Sequence, residues 1–438
     1  MKIIRCATIG LSLNIFCKGI LQDLKDQGYE VVAVSSPDED LKQVAAREDV
    51  RTIGVEMERK ISLVKDMKAL WTLYRVFRAE KPDMVHSMTP KAGLLCMMAA
   101  WMARVPYRIH TFTGLIWPTT SGIKRKILMM TDRITCACAT HVIPESLGVL
   151  DDLKNYGITK KPMRLLGYGN VKGVDLSFWQ KPEKPEKLGV RSSQPIARAF
   201  LCSWREDEAL AEGSKSEEFG VIAPDGKKLF TFLFVGRIVG DKGINELVSA
   251  FNKLIERKKE KGEGRSCRLV LVGWIEDHLD PVTPETRHLI DTIPEIEAVG
   301  PKPVEDLLAY YAAADCFVFP SYREGFPNTV LEAGAMEQAS IVTDINGCRD
   351  IILKAIDSQY VSQHLQPGET MSIRENGVMV PSKDADALYE AMCWMMEHEE
   401  ERLQMGKQAR QIISERWEQR FVREKLYEFY REVLRERG

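Results

Sequence analysis

Asp315-Cys316-Phe317-Val318-Phe319-Pro320-Ser321-Tyr322-Arg323-Glu324-Gly325-Phe326-Pro327-Asn328-Thr329-Val330-Leu331-Glu332 runs from an apolar stretch, through a loop of glycine and proline, into a helical pattern. Cys316 to Phe319 carries no charge and reads as a strand buried on both faces, the kind a parallel sheet uses. Pro320 and Ser321 end it, and helical spacing starts at Asn328. Strand, loop and helix start in that order aim backbone N–H groups and the positive end of a helix dipole at whatever lies above the strand, which favours a phosphate. Glu324 falls in the loop, at the mouth of such a site. Glu332 falls one to two turns into the helix, on a second wall. For an isolated pair of this kind the plainer reading is a helix cap at Glu324 and a solvated helical residue at Glu332.

Outward from this segment, strands and helices alternate along most of the chain. Toward the N-terminus the pattern gives strands at Lys2 to Ile9, Glu30 to Ser35, Thr52 to Val55, Asp83 to His86, Tyr107 to Thr111 and His141 to Pro144. Helical spacing fills Phe16 to Gln27, Asp38 to Arg47 and Ser62 to Ala79. Nearer the opening segment come strands at Phe230 to Val235, Arg268 to Val272, Ser340 to Thr343 and Val378 to Val380. Helices are expected at Ile244 to Arg257, Pro303 to Ala313, Asn328 to Met336 and Ala385 to Glu397, with a long helical tail from Glu401 to Arg435. Alternation at this spacing makes an α/β protein with parallel sheets and right-handed crossovers. The series pauses at a Pro-rich charged spacer, Lys181 to Lys187, and a polar tract around Arg205 to Glu218, with a short helix near Trp204 to Ala211. We therefore expect a Rossmann-like domain at 1–180, a linker or insertion at 181–228, a second Rossmann-like domain at 229–400 and a final helical segment at 401–438. Sheets of this type bind ligands at the carboxyl ends of their strands, which for two such halves means a cleft.

Composition excludes several classes. Of 438 residues 45% are hydrophobic and 28% charged, with a net charge of −2, so nothing global favours nucleic acid and no such partner is expected. The ten cysteines form no CxxC pair and sit largely in apolar runs (Cys96, Cys316, Cys393), as core residues of a reducing compartment. Met1 to Arg5 leads straight into a strand without a signal-peptide core, and the longest uncharged apolar run, Gly93 to Ala103, is about half what a membrane span needs. A cytoplasmic protein is expected.

Two further loops share the chemistry of the opening one. Gly236-Arg237-Ile238-Val239-Gly240-Asp241-Lys242-Gly243 follows a strand and opens a helix. Gly236 lets backbone approach a ligand, while Arg237 and Lys242 supply two cations, fit to hold a diphosphate and to neutralise a leaving group as a metal ion otherwise would. Gly273 ends the strand Arg268 to Val272, where a base or ribose has room to pack. Neither loop has the GxxxxGK[ST] order, and no GxGxxG follows any expected strand, which argues against a nicotinamide-dependent dehydrogenase. One carboxylate near a reacting group and a second near a hydroxyl-rich moiety suit a nucleotide sugar.

With these loops in register, the chain resembles the retaining glycosyltransferases of family 4, which have the GT-B fold. The shared features are Gly-Arg…Lys-Gly at 236–243, E-x7-E from Glu324 to Glu332, and stretches through the first half: Met1-Lys2-Ile3, His86 to Gly93, His110-Thr111-Phe112-Thr113-Gly114 and Gly173-Val174-Asp175. The branch most like it comprises bacterial enzymes building capsule, O-antigen or glycoprotein oligosaccharides on undecaprenyl diphosphate. The resemblance implies that Arg237 and Lys242 hold the donor diphosphate. It gives Glu324 the donor sugar, Gly325, Phe326, Pro327, Asn328 and Thr329 the backbone around sugar and phosphate, Glu332 the ribose hydroxyls, and His110 a place at the reacting centre. It implies a UDP-sugar donor, no metal cofactor, and a last helix that crosses back to the first domain. DxD-like triplets at Asp38-Glu39-Asp40 and Asp384-Ala385-Asp386 fall at helix starts, where Asp caps backbone donors. The first loop, Gly10 to Asn14, lacks the paired glycines of many relatives, which leaves Ser12 and Asn14, with His86, as acceptor contacts only.

Trp117 to Arg133 sets Lys124-Arg125-Lys126 beside Ile127-Leu128-Met129-Met130. On a helix this makes a cationic side next to an apolar one, which suits the inner membrane surface where a lipid-linked saccharide acceptor lies; an amphipathic helix with its apolar face in the core has the same pattern. Two other functions stay open at this point, a GT-B nucleotide-sugar epimerase and a non-catalytic scaffold subunit.

Overall fold

The computed structural model describes residues 1–58, 62–181, 221–222, 228–262, 266–278, 280–353 and 364–435. The expected spacer and its short helix near Trp204 to Ala211 lie outside the described residues. The chain forms two compact units, Met1–Gly173 with Arg416–Gly438, and Val174–Glu415.

The first unit is built on six parallel strands: β1 (Lys2–Cys6), β2 (Glu30–Ser35), β3 (Arg51–Gly54), β4 (Met84–Met88), β5 (Tyr107–Phe112) and β6 (His141–Pro144), in the order β3-β2-β1-β4-β5-β6. Chain order moves outward from β1 to β3, then jumps to β4 and outward again. Right-handed crossovers therefore put helices on opposite faces. On one face lie α1 (Gly10–Phe16), α2 (Ile20–Asp26) and α3 (Glu39–Glu48), over a core that includes Leu13, Leu21, Leu24 and Val44. On the other lie α4 (Leu63–Glu80), α5 (Pro90–Met102) and α6 (Gly122–Cys138), over Leu73, Phe77, Cys96 and Trp117. A seventh helix, α7 (Leu147–Asn155), follows β6.

Two helices differ from the sequence expectation. Phe16 to Gln27 is not one helix: Gly19, at φ 76°, breaks it, and α1 begins at Gly10, where a loop was expected. Asp38 explains the early start, since its carboxylate accepts both the Gly10 N–H at 2.8 Å and the Leu41 N–H at 2.9 Å and so secures two helix beginnings.

The second unit repeats the plan. Its strands are β7 (Val221–Ile222), β8 (Lys228–Val235), β9 (Cys267–Val272), β10 (Ile296–Gly300), β11 (Cys316–Phe319), β12 (Ser340–Thr343), β13 (Ser372–Arg374) and β14 (Gly377–Val380), in the order β10-β9-β8-β11-β12-β14-β13, with β7 paired to β8. All neighbours from β10 to β14 are parallel; β13 closes one edge antiparallel. The helices are α8 (Ile244–Glu260), α9 (Pro284–Thr292), α10 (Val304–Ala313), α11 (Asn328–Ala335), α12 (Cys348–Ile351), α13 (Ala385–Glu397) and α14 (Glu399–Arg416). The edge strand β10 was missed in the sequence because Glu297 and Ala298 break its apolar run, and only Ile296 is buried.

The long tail is two helices rather than one. Trp417 is fully buried and donates its indole N–H to the Tyr168 carbonyl at 3.1 Å, and the Glu418 carboxylate accepts the Arg420 N–H at 2.7 Å, capping a new helix, α15 (Gln419–Arg435). Leu426, Phe429, Tyr430 and Val433 of α15 join the core over α1 to α3. No described helix is long and apolar enough to cross a membrane.

Candidate active site

Both sheets reverse their strand order at one point, between β1 and β4 in the first unit and between β8 and β11 in the second. Crossovers diverge there, so the carboxyl ends leave a crevice, and that is where open α/β sheets hold ligands. In the second unit, the two flanking strands lead into the two loops singled out in the sequence.

The loop after β8 carries Gly236, Arg237 and Lys242, and the loop after β11 carries Glu324. They are tied together: Lys242 Nζ forms an ion pair with Glu324 Oε1, and the Tyr322 N–H donates to the Asp241 carbonyl at 2.9 Å. Arg323 pairs with Asp241 at 2.6 Å, and Tyr322 donates its hydroxyl to Glu246 at 2.6 Å. Lys242 and Glu324 are about four-fifths buried, and Lys242 Nζ lies 5.5 Å from the centre of the Phe319 ring. An ion pair so shielded is stronger than a surface pair, and removing either partner strands the other. Ser321 is the supporting residue that the sequence reading passed over: fully buried at the end of β11, it donates to Glu324 Oε1 at 2.9 Å, while its own carbonyl accepts the Thr343 hydroxyl. A serine directly after an apolar strand and three residues before the glutamate was the available signal.

Arg237 pairs with Glu276 at 2.8 Å and stays half exposed. Gly273, after β9, sits at φ 148° against the loop after β8: a Cβ there would lie 1.7 Å from the Gly236 carbonyl oxygen. Only glycine fits. Gly325, Phe326 and Pro327 form the approach to α11, with Phe326 buried, and Asn328 and Thr329 begin the helix behind Pro327, which as N-cap offers no side-chain acceptor. Glu332 is buried rather than solvated, and its charge, after burial itself, helps push the Tyr311 hydroxyl well above its usual range. Gly236, Arg237, Lys242, Gly273, Glu324 and the start of α11 thus belong to one set of interlocked loops.

The first unit separates its expected residues. His110 lies within β5, not at its end, and inside the protein, with Nδ1 hydrogen-bonded to Ser87 Oγ at 2.9 Å and its ring against Phe112. Its Cε1 would lie 2.4 Å from a Cβ on Gly93, so α5 accepts the imidazole only because that residue is glycine. His110 lines a recess with Thr89, Thr113, Trp117, Thr131 and Asp132. Thr89 holds φ 71° and ψ 142°, a conformation costly for a β-branched residue, and its hydroxyl bonds Thr8 Oγ1 at 2.8 Å across the switch point. The triplets do cap helices, through Asp38 and through Asp384, which accepts the Ala387 N–H at 2.9 Å.

Three acceptor contacts expected from sequence change standing. His86 is buried with both ring nitrogens engaged: Arg5 donates to Nδ1 at 2.9 Å, which leaves Nε2 to donate to Thr111 Oγ1 at 2.7 Å, and the Tyr430 hydroxyl of α15 closes the cluster. It is a core tether with no nitrogen left for an acceptor. Asn14 is likewise spent, bonding Asp40 at 2.9 Å and Gln43 at 3.2 Å and accepting from Arg47, which fastens α1 to α3. Ser12 is half-buried on α1, in a helix and not the expected loop.

Burial shifts three groups here. It pushes His110 down to about 3, and with the Arg5 charge and His110 it holds His86 well below the usual histidine range. Burial raises Asp132 to about 7, although Trp117 donates its indole N–H to the carboxylate at 2.9 Å. The unfolded chain takes up histidine protons below about pH 6.5 that the folded protein refuses, so each histidine withdraws about 1.4 kcal/mol of stability per pH unit on acidification. Asp132 acts oppositely between about pH 4 and 7, where the folded state keeps a proton that the unfolded state releases. Two histidines outweigh one aspartate. Urea midpoints between pH 6 and 4 should therefore fall, more gently in His110→Gln and more steeply in Asp132→Asn.

The paired sheets and their switch-point loops define a GT-B transferase fold. A crystal structure of Anabaena Alr3699/HepE in complex with UDP-glucose superposes with a TM-score of 0.70 at 14% identity, covering 99% of this chain and 100% of that one. Residues 14–169 match the family described as Glycosyl transferase 4-like domain, and residues 215–412 match Glycosyl transferases group 1. The Staphylococcus aureus capsular polysaccharide biosynthesis glycosyltransferase CapM is 27% identical over 99% of this chain and 98% of its own. The Escherichia coli UDP-Gal:alpha-D-GlcNAc-diphosphoundecaprenol alpha-1,3-galactosyltransferase is 30% identical over 68% of this chain and 67% of its own. The Campylobacter jejuni N,N'-diacetylbacillosaminyl-diphospho-undecaprenol alpha-1,3-N-acetylgalactosaminyltransferase is 22% identical over 97% of each. The chain belongs to the group 1, family 4-like glycosyltransferases, and it is an enzyme of that class.

Proposed function

We propose that the protein is a retaining transferase that moves a hexosyl or N-acetylhexosaminyl unit (GalNAc, GlcNAc or Gal) from a UDP-sugar to a lipid-diphosphate-linked saccharide during bacterial surface polysaccharide or glycan assembly. The observation that carries this reading is the Lys242–Glu324 pair, held between the loops that flank the switch point of the second sheet. A diphosphate entering there meets Lys242 and Arg237, each already holding a carboxylate. Taking those cations frees Glu324 for the hydroxyls of the donor sugar, while Glu332 serves the ribose. Two fixed cations next to the departing diphosphate supply the charge stabilisation that a metal ion otherwise gives, so turnover without divalent metal is expected. On the acceptor side His110 works as a neutral imidazole, since burial keeps it unprotonated at neutral pH. The Escherichia coli and Campylobacter jejuni relatives act on diphosphoundecaprenol saccharides, and an acceptor of that class suits the cationic and apolar pattern of Trp117 to Arg133.

A screen of UDP release across UDP-sugars, with short-chain polyprenyl-diphosphate saccharides as acceptors and with EDTA present, tests this. Acceptor-dependent release from one donor, with the anomeric configuration kept in the product, is the expected result. Release with no donor points to a scaffold, and conversion of the free UDP-sugar without release points to an epimerase.

A further inference from the structure

We infer that the first unit carries a membrane-docking face built by two helices, α4 and α6, and that its occupant is an anionic phospholipid surface. The inference extends the membrane reading above from one helix to a face, and rests on it only for the lipid-linked acceptor.

Large apolar side chains are normally hidden, yet seven are exposed here on the N-terminal halves of two helices that flank α5. On α4 these are Leu63, Val64, Met67 and Trp71, exposed by 80%, 82%, 63% and 56%. On α6 they are Ile123, Ile127 and Met130, exposed by 77%, 48% and 53%. At about 100° per residue the α4 set spans an arc of about 100° and the α6 set about 60°, so each is one stripe. The core takes the adjoining side of α4, through Leu73 and Phe77, and the opposite side of α6, through Leu128 and Met129. The apolar pattern of α6 is thus divided between core and surface, where the sequence had left a choice between them.

Both stripes lie at the same end of the unit. Each helix follows a parallel strand, so its N-terminal turns sit at the carboxyl edge of the sheet, the edge that also holds the recess lined by Thr89, His110 and Trp117. α5 packs against both α4 and α6, which makes the two helices flanks of a single surface.

Charge selects the occupant. Lys124 and Lys126 border the α6 stripe and Lys68 borders the α4 stripe; all three are exposed, and among the described residues none holds a carboxylate. Lysines rimming an apolar stripe, with a tryptophan along it, match the anionic headgroup boundary of a bilayer. Docking in this way brings the recess at the strand ends to the bilayer surface, where a lipid-linked acceptor presents its saccharide.

The test is co-sedimentation of the full chain with vesicles of phosphatidylcholine alone and with added phosphatidylglycerol. The native protein should bind the phosphatidylglycerol vesicles. The quadruple variant Leu63→Ser, Val64→Ser, Met67→Ser and Trp71→Ser should lose about tenfold or more in partitioning. Lys124→Glu with Lys126→Glu should remove the preference for phosphatidylglycerol; Arg125 is left in place because it packs over Trp117 and Tyr156 at 5.9 and 5.1 Å. All the altered side chains are exposed, and unchanged circular dichroism and thermal midpoints verify folding. Native-level binding by the α4 variant overturns the two-helix face, as does absence of binding by the native protein. A native dimer made monomeric by the α4 substitutions also overturns it, because the occupant would then be a second copy. UDP release from a short-chain acceptor in the same variants separates the two readings. Lost vesicle binding with intact release supports docking and transfer together, while lost vesicle binding in a protein that releases no UDP from any donor supports docking and sinks the transfer.

Discussion

Lys242→Ala should lower UDP release by about a hundredfold or more, the scale seen when one preorganised charge-stabilising group is removed from a reacting centre. The expected loss exceeds that of a surface lysine because this one has no substitute. Arg237, the other cation of the loop, is half exposed and turned to Glu276, whereas Lys242 is largely buried between Phe319 and Glu324. Removing it also leaves Glu324 as an uncompensated carboxylate where the donor diphosphate must enter, so donor binding and turnover should fall together. Glu324→Gln keeps the Ser321 hydrogen bond and the shape of the loop but drops the charge; it should reduce turnover more than donor affinity. In the double variant the losses should be far from additive, because the two side chains act through one contact. Full activity in Lys242→Ala, with donor titration unchanged, would mean that the diphosphate binds elsewhere.

Gly273→Ala should have an effect nearly as large without touching any charged group. The added methyl would overlap the Gly236 carbonyl oxygen at 1.7 Å, and the residue would have to keep φ 148°, which costs an L-residue of order 1–3 kcal/mol. Part of the molecule must yield, and the loop after β8 is the part that can. We expect folded protein with a thermal midpoint lower by several degrees. Donor KM should rise about tenfold or more while acceptor KM stays put, since the shift moves Gly236 and Arg237 and leaves the first unit alone. Kinetics with each substrate varied separately decide this; an equal rise in both KM values would argue for general destabilisation instead.

Legibility from sequence followed burial pattern closely. Central parallel strands such as β8, β9 and β11 announce themselves because both faces are covered and the run is nearly all apolar, with Thr231 and Arg268 as the internal exceptions. Edge strands do not: β10 interleaves Glu297 with small residues, and β13 is only Ser372 to Arg374. Helix ends depended on tertiary partners as well. Nothing local says that Gly10 begins a helix, because the group that caps it, Asp38, is 28 residues away.

The candidate site divides in the same way. Gly236, Arg237, Lys242, Gly273 and Glu324, which the structure gathers in adjoining loops, could be picked out because glycines and charges at the ends of apolar runs have few structural uses. His86 and His110 look alike in sequence, each expected at the end of a strand, and the structure places both inside β4 and β5 instead. The structure separates them through partners remote in the chain: Arg5 and Tyr430 consume His86, while Gly93 makes room for His110 beside the recess. Asp132 was invisible, since an aspartate within a helix is common and only burial shows that it has a hydrogen bond to Trp117 to make, while the signal at Ser321 gained meaning only from its bond to Glu324.

By itself the sequence determined the alternation of strands and helices, hence two parallel sheets with ligand loops at their carboxyl ends, because apolar periodicity and glycine placement are local properties. It also determined which charges stand in those loops. Tertiary structure alone decided which of those charges meet, that the last helix seals the first sheet through Tyr430, and that part of the apolar pattern of α6 faces outward. Those outcomes rest on contacts between residues tens to hundreds of positions apart, and no spacing within a single segment encodes them.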